Sequence, residues 1–164
     1  MNYQSEASYN EEIAAEVGYL RLDRRFIRID ERPGPGIEAC DLLDVEGRRF
    51  IHVKKSSRQS SVLSHFFKQG CNAAQMIRKY ERFKPGLIGV VKRYYGAKNA
   101  QQLEKALDRR NRWTIEFQIA DFPRPDGSHN IPFFSKLTLR EEARNMEAMG
   151  FDVKVCFIKL SRIQ

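Results

Sequence analysis

The sequence predicts an α/β fold, a mixed sheet with helices packed on it. Three observations carry this expectation. Residues 37–55 read as a β-hairpin: an apolar run from Ile37 to Val45, a Val-Glu-Gly turn, then strict polar–apolar alternation from Phe50. A long helix pattern follows over roughly 60–82, with Val62, Leu63, Phe66, Phe67, Ala73, Ala74, Ile77 and Tyr80 spaced three and four apart. Two later strand patterns, Trp113–Ala120 and Asp152–Leu160, alternate with helix patterns. A meander followed by crossovers places helices against a mixed sheet. With 164 residues, the chain is expected to form one domain, with a helical insertion at 85–110.

Taken in order, Asn10 is expected to cap a short helix, with Glu11 and Glu12 in its first turn and Gly18 at its end. Tyr19–Leu22 and Phe26–Ile29 read as strand pieces, and Arg32–Gly36 as a loop. In the hairpin, residues two apart point the same way, about 6.6 Å apart. His52 and Lys54 therefore share one face, Ile51 and Val53 the other, and Asp41 on the partner strand can face the polar pair. Hydroxyls of Ser56–Ser61 are expected to cap the long helix. A helix N-terminus beside Lys54, Lys55 and Arg58 suits a phosphate, which makes Lys55, Arg58, Ser60 and Ser61 candidate phosphate contacts.

Gly70 inside the long helix costs about 1 kcal/mol against Ala and suggests close packing on the sheet. Leu87–Tyr95 is compatible with helix or strand, helix being preferred. Lys92 and Arg93 beside Tyr94 and Tyr95 have a composition that suits phosphate and base contacts. Asn99 is expected to cap a further helix through Arg110. The Pro-rich stretch Asp121–Pro132 is a loop with His129 at its surface, and Phe133-Phe134-Ser135 is expected to pack beneath it. Thr138-Leu-Arg-Glu141 reads as a capping box for a helix through Met149.

The net charge is +8, from 29 basic and 21 acidic residues. That balance favours a polyanionic partner, nucleic acid first. Cys40, Cys71 and Cys156 lack zinc or disulfide spacing. With no apolar run of 18 residues and no signal-peptide pattern at Met1–Glu6, a cytoplasmic location is expected.

A carboxylate on one strand with a lysine on the next has a chemical use. Asp41 offers the hard oxygen that Mg²⁺ prefers, and Lys54 can orient a water and offset charge on a phosphate. This arrangement resembles the restriction-endonuclease-like superfamily, marked by Asp, then Asp/Glu-x-Lys, on a hairpin. Asp41 matches the first acid and Lys54 the lysine, while His52 stands where the second acid is expected. The segments Glu38-Ala-Cys-Asp41-Leu-Leu, Ile51-His-Val-Lys54, Leu63–Gly70 and Ile131–Leu137 resemble the C-terminal region of the sporadically distributed bacterial defence-island proteins.

The resemblance implies a restriction-endonuclease-like fold and a nuclease using Mg²⁺ or Mn²⁺ on DNA or RNA in anti-phage defence. Nucleic acid and other defence-system subunits are the implied partners. It casts Asp41, Lys54, His52 and Gln69 as catalytic, with Asp41, Glu38 and Glu16 as metal ligands. Glu16 is a stand-in, from the first helix, for the acid missing at position 52. Glu38 lies three residues from Asp41, so a regular strand points them apart and a bulge is needed to bring both inward. Imidazole nitrogen at His52 would shift metal preference from Mg²⁺ towards Mn²⁺. Two other readings stay open: an inactive nucleic-acid-binding domain of the same fold, and an interaction domain of a larger defence assembly.

Overall fold

The computed structural model describes residues 5–28, 36–108 and 110–159. Among these residues four helices and seven strands run in the order α1 (Glu6–Val17), β1 (Leu20–Arg21), β2 (Phe26–Ile27), β3 (Ile37–Glu38), β4 (Leu42–Asp44), β5 (Arg49–Lys55), α2 (Ser60–Lys79), α3 (Phe83–Ala106), β6 (Trp113–Asp121), α4 (Phe133–Ala148) and β7 (Phe151–Lys159). The main sheet has the order β1-β4-β5-β6-β7. β1, β4 and β5 form an antiparallel meander, and β5, β6 and β7 run parallel. The expected α/β architecture, a mixed sheet flanked by helices, is therefore present. β2 and β3 form a separate two-stranded ribbon. Ile29 and 32–35 of the expected loop lie outside the described residues.

The two faces of the sheet are covered differently. Tyr9, Ile13 and Ala14 of α1 pack on Leu42, Ile51 and Val53. The opposite face carries Leu43, Phe50, Ile115, Phe117 and Ile119 under Leu63, Phe66, Phe67 and Ala74 of α2, with Phe83, Leu87, Val91 and Leu103 of α3 in the same core. The period-two pattern of the strands sends alternate residues to these two layers. Among the described residues no helix is long and apolar enough to cross a membrane.

β4 and β5 form a hairpin, and its turn has a visible cause. Asp44 accepts a hydrogen bond from the Gly47 amide at 2.8 Å and another from Arg49 Nε at 2.8 Å. A Cβ on Gly47 would stand 2.2 Å from Asp44 Oδ2, so a larger residue would push the carboxylate off both donors. Arg49 also pairs with Glu116 at 3.1 Å, tying the turn end of the hairpin to β6.

Several local expectations are corrected. The first helix begins at Glu6, capped by Ser5 in a reciprocal Ser5–Ser8 box; Asn10 is a buried residue inside it. Ser60 and Ser61 are not caps: the cap position of α2 is Gln59, which makes no side-chain cap bond. Leu87–Tyr95 is helical, and Asn99 is no cap either, because α3 runs through it with a kink at Gly96 (φ 85°). α4 starts at Phe133, not near Thr138. Thr138 Oγ1 instead bonds back to the Phe134 carbonyl at 3.1 Å, the alternative use a mid-helix threonine has for its hydroxyl. Phe133 and Phe134 do not pack under the loop; they are 68% and 67% exposed.

Candidate active site

The first strand run of the hairpin is broken. Ile37–Glu38 pairs with β2, the chain bends at Asp41, and Leu42–Asp44 pairs with β5. This break does what a bulge was expected to do: Glu38 and Asp41 line the same cavity. The bend is anchored by the Asp41 carbonyl, which accepts from Leu22 N at 2.7 Å and Asp23 N at 3.0 Å. Asp41 N donates to Ile51 O at 3.0 Å, the residue that Leu42 already faces, so Asp41 and Leu42 both stand against Ile51, two residues against one as in a β-bulge. Asp41 and His52 nevertheless line the same cavity.

The cavity measures about 520 Å³ and is lined by Glu38, Asp41, His52, Lys54, Gln69 and Glu6, among others. Five of the expected site residues thus meet in one place: Asp41, Lys54, His52, Gln69 and Glu38. Glu16 does not. It is exposed near the far end of α1 and lines no part of this cavity. The reason is the helix start: with Ser5 rather than Asn10 as cap, the acid nearest the hairpin is Glu6. Its carboxylate accepts from Lys54 Nζ at 3.2 Å and from the Lys55 amide at 2.9 Å. An acid one residue after a Ser cap was the available sign, since the first helical turn favours carboxylates.

Asp41 is the most perturbed acid. Burial raises its pKa to about 7, against the Val53 amide that donates to Oδ2 at 2.7 Å; Glu38, Asp23 and Glu6 push it further up. Glu38 is also raised, mainly by burial, although the Arg24 amide donates to its Oε1. Arg24 adopts a left-handed φ of 59° beside this carboxylate. His52 is 6% exposed and stacks on Phe117 at 5.7 Å between ring centroids. Burial lowers its pKa to about 4, and Nε2 has no hydrogen-bond partner among the described residues. At neutral pH the ring is therefore neutral.

Two carboxyl groups raised mainly by burial and further by neighbouring acids have the donor chemistry of a hard-cation site: a divalent ion would stabilise their charged forms. No three His, Cys, Asp or Glu side chains among the described residues are gathered into one ligand set. Mg²⁺ is commonly held by one or two carboxylates, with water and phosphate oxygens completing its shell. Asp41 with Glu38 fits that pattern.

The remaining candidate contacts scatter. Lys55 and Arg58 are exposed at and just beyond the end of β5. Ser60 and Ser61 open α2; the Ser60 carbonyl accepts from the Ser135 hydroxyl at 2.9 Å. Lys92 and Arg93 are exposed on α3 and line no part of the Asp41 cavity. Tyr95 is half-buried and donates to the Arg21 carbonyl at 2.8 Å. His129 is no plain surface residue: it pairs with Asp121 at 3.3 Å and stacks on Phe157 at 4.3 Å.

No curated protein and no solved structure matches this chain. Residues 2–159 match DUF6119, a family of unknown function, and the chain belongs to that family.

Proposed function

We propose that this chain is a metal-dependent nuclease domain of restriction-endonuclease-like fold, hydrolysing DNA or RNA phosphodiesters in bacterial anti-phage defence. One observation carries the reading: Asp41, Glu38 and Lys54 face a single cavity beside the central hairpin. The order of elements supports it. A helix, an antiparallel meander, a helix against the sheet and then a parallel strand is the order the resemblance implies.

Asp41 and Glu38 would hold Mg²⁺ or Mn²⁺, which supplies Lewis acidity towards a phosphoryl oxygen and an acidified water. Glu6 fixes the Lys54 ammonium through its 3.2 Å contact. Lys54 orients the attacking water or donates to a non-bridging phosphate oxygen, offsetting charge that grows towards the transition state. The Val53 amide holds Asp41 by one oxygen, and the other would be available to an ion. Gln69 and Asn72 border the same cavity from α2 and offer neutral hydrogen bonds to the substrate.

The test is incubation with plasmid and with RNA in Mg²⁺ or Mn²⁺. Cleavage is expected for the wild type and lost by about 100-fold or more in Asp41→Ala and Lys54→Ala, the scale for removing one electrostatic stabiliser. Glu6→Gln is expected to lower the rate less, because Lys54 keeps its charge. Equal cleavage by all four proteins would refute the assignment.

His52 favours a second reading, an inactive nucleic-acid-binding domain. A neutral, unpartnered imidazole stands where the resemblance calls for an acid. Salt-sensitive binding without cutting, in either metal, would select it.

A further inference from the structure

Beside the Asp41 cavity lies a second one of about 720 Å³, lined by Ser57, Arg58, Phe122, Arg124, Asn130 and Pro132, among others. The two are neighbours. Lys54 lines the first and Ser56 the second, about 6.6 Å apart along extended chain. The Ser56 amide donates to Ala120 O at 2.8 Å, so the second cavity opens where β5 and β6 end.

Two features of this cavity are unusual together. Arg58 and Arg124 are exposed, and neither forms an ion pair among the described residues. The acid in the wall, Asp121, is engaged by His129. Next to Pro132, Phe133 and Phe134 stand 68% and 67% exposed, their rings edge-to-face at 5.5 Å, and Phe122 is 45% exposed. Phenylalanine has no polar atom to reward exposure, so three open rings beside two exposed guanidinium groups, of which Arg124 has Asp126 in its field, form a surface that offers both stacking and charge. Unpaired bases supply ring faces and phosphates in alternation. A duplex hides its ring faces within the stack and offers little to these side chains.

We infer that this second cavity, with Phe122, Phe133 and Phe134, is a binding platform for a single-stranded stretch of polynucleotide leading into the Asp41 cavity. The inference rests on the nuclease reading for its substrate class and adds strandedness to it. Arg58 and Arg124 take phosphates. Phe133 and Phe134 take bases.

The test is fluorescence anisotropy with labelled 20-nucleotide oligo(dT) and oligo(rU) and a 20-base-pair duplex, in EDTA, across a salt series. The wild type is expected to bind a single strand at least 10-fold more tightly than the duplex. Phe133→Ala/Phe134→Ala should lose about 10-fold or more for the single strand, with the salt slope unchanged. Arg58→Ala/Arg124→Ala should lower the salt slope by about 1.4, for two phosphate contacts on a single strand. Both ring positions are exposed, so folding is expected to survive, and circular dichroism checks it.

Wild-type affinity in the Phe double variant, or a preference for duplex, would overturn the inference. So would wild-type binding together with a loss of self-association by light scattering, which would make the patch a contact between copies. Single-strand binding as expected without cleavage in Mn²⁺ would sink the nuclease reading alone. Cleavage with unchanged binding by the Phe double variant would sink the platform alone.

Discussion

Asp41→Asn is expected to make the protein more stable at pH 8 while abolishing cleavage. The fold raises the Asp41 pKa from 3.8 to about 7, chiefly by burial. Between those values the folded state holds a proton that the unfolded chain has released. Stability therefore falls as pH rises from about 4 to 7, and the loss is complete above pH 7. Its scale is about 4 kcal/mol, from roughly three pKa units at 1.36 kcal/mol each. Asparagine keeps an oxygen for the Val53 amide and carries no charge. In a domain of this size the gain corresponds to about 8–16 °C in Tm at pH 8, shrinking towards zero near pH 4. Thermal melts of both proteins from pH 4 to pH 8 without divalent ions provide the check.

His52 adds an opposite slope. Its folded pKa is lowered from 6.5 to about 4 by burial. The stability associated with the neutral ring is present above pH 6.5 and is lost as pH falls through 4. In the wild type the two slopes oppose one another between pH 4 and 6.5. In Asp41→Asn the larger opposing slope is gone and Glu38, also raised by burial, is left against His52, so stability should change more favourably with rising pH over that window than in the wild type.

The second large effect concerns the support beneath the site. Phe117 is fully buried on β6. It stacks with His52, and Phe66 and Phe67 meet it edge-on, each at 5.2 Å. Phe117→Ala is expected to cost about 3–5 kcal/mol, the transfer loss plus a cavity, measured by urea unfolding. Gly70 of α2 reaches the same ring: a Cβ there would stand 2.5 Å from two Phe117 ring atoms. Gly70→Ala alone is therefore expected to cost about 1–3 kcal/mol through overpacking, despite alanine's better helix propensity. In the Phe117→Ala background the same methyl enters vacated space and should be neutral or stabilising. That reversal of sign is the signature of direct contact. Additive destabilisation would contradict it.

These residues also show what the sequence made legible. His52 and Lys54 were readable as one face because strand alternation is a local rule, while Asp41 reaches the same cavity through the bend at its own position. Gly70 was readable because a helix interior gives glycine no other reason to be there. Glu6 was not. Its role depends on where α1 begins, and two competing caps, Ser5 and Asn10, shift that start by five residues, which rotates and translates the acidic face.

At position 38 the need for an irregularity was legible, but its form was not. Ile37–Val45 has the composition of one strand, but β3 and β4 join different sheets, and the bend between them re-aims Glu38. In α4 a capping-box signature at Thr138–Glu141 competed with Pro132, which sits at the actual cap position. Proline fits a helix start because its missing amide would have had no partner there. That shift leaves Phe133 and Phe134, expected beneath the loop, as exposed rings.

The central claim is that Asp41 and Glu38 form one divalent-ion site facing Lys54. Calorimetric titration of the metal-free protein with Mn²⁺ at pH 8 tests it without any substrate. One ion should bind per chain, with binding lost in Asp41→Asn, weakened in Glu38→Gln and unaltered in Glu16→Gln. A wild type that takes up no ion, or an Asp41→Asn variant that binds Mn²⁺ as the wild type does, would contradict the account.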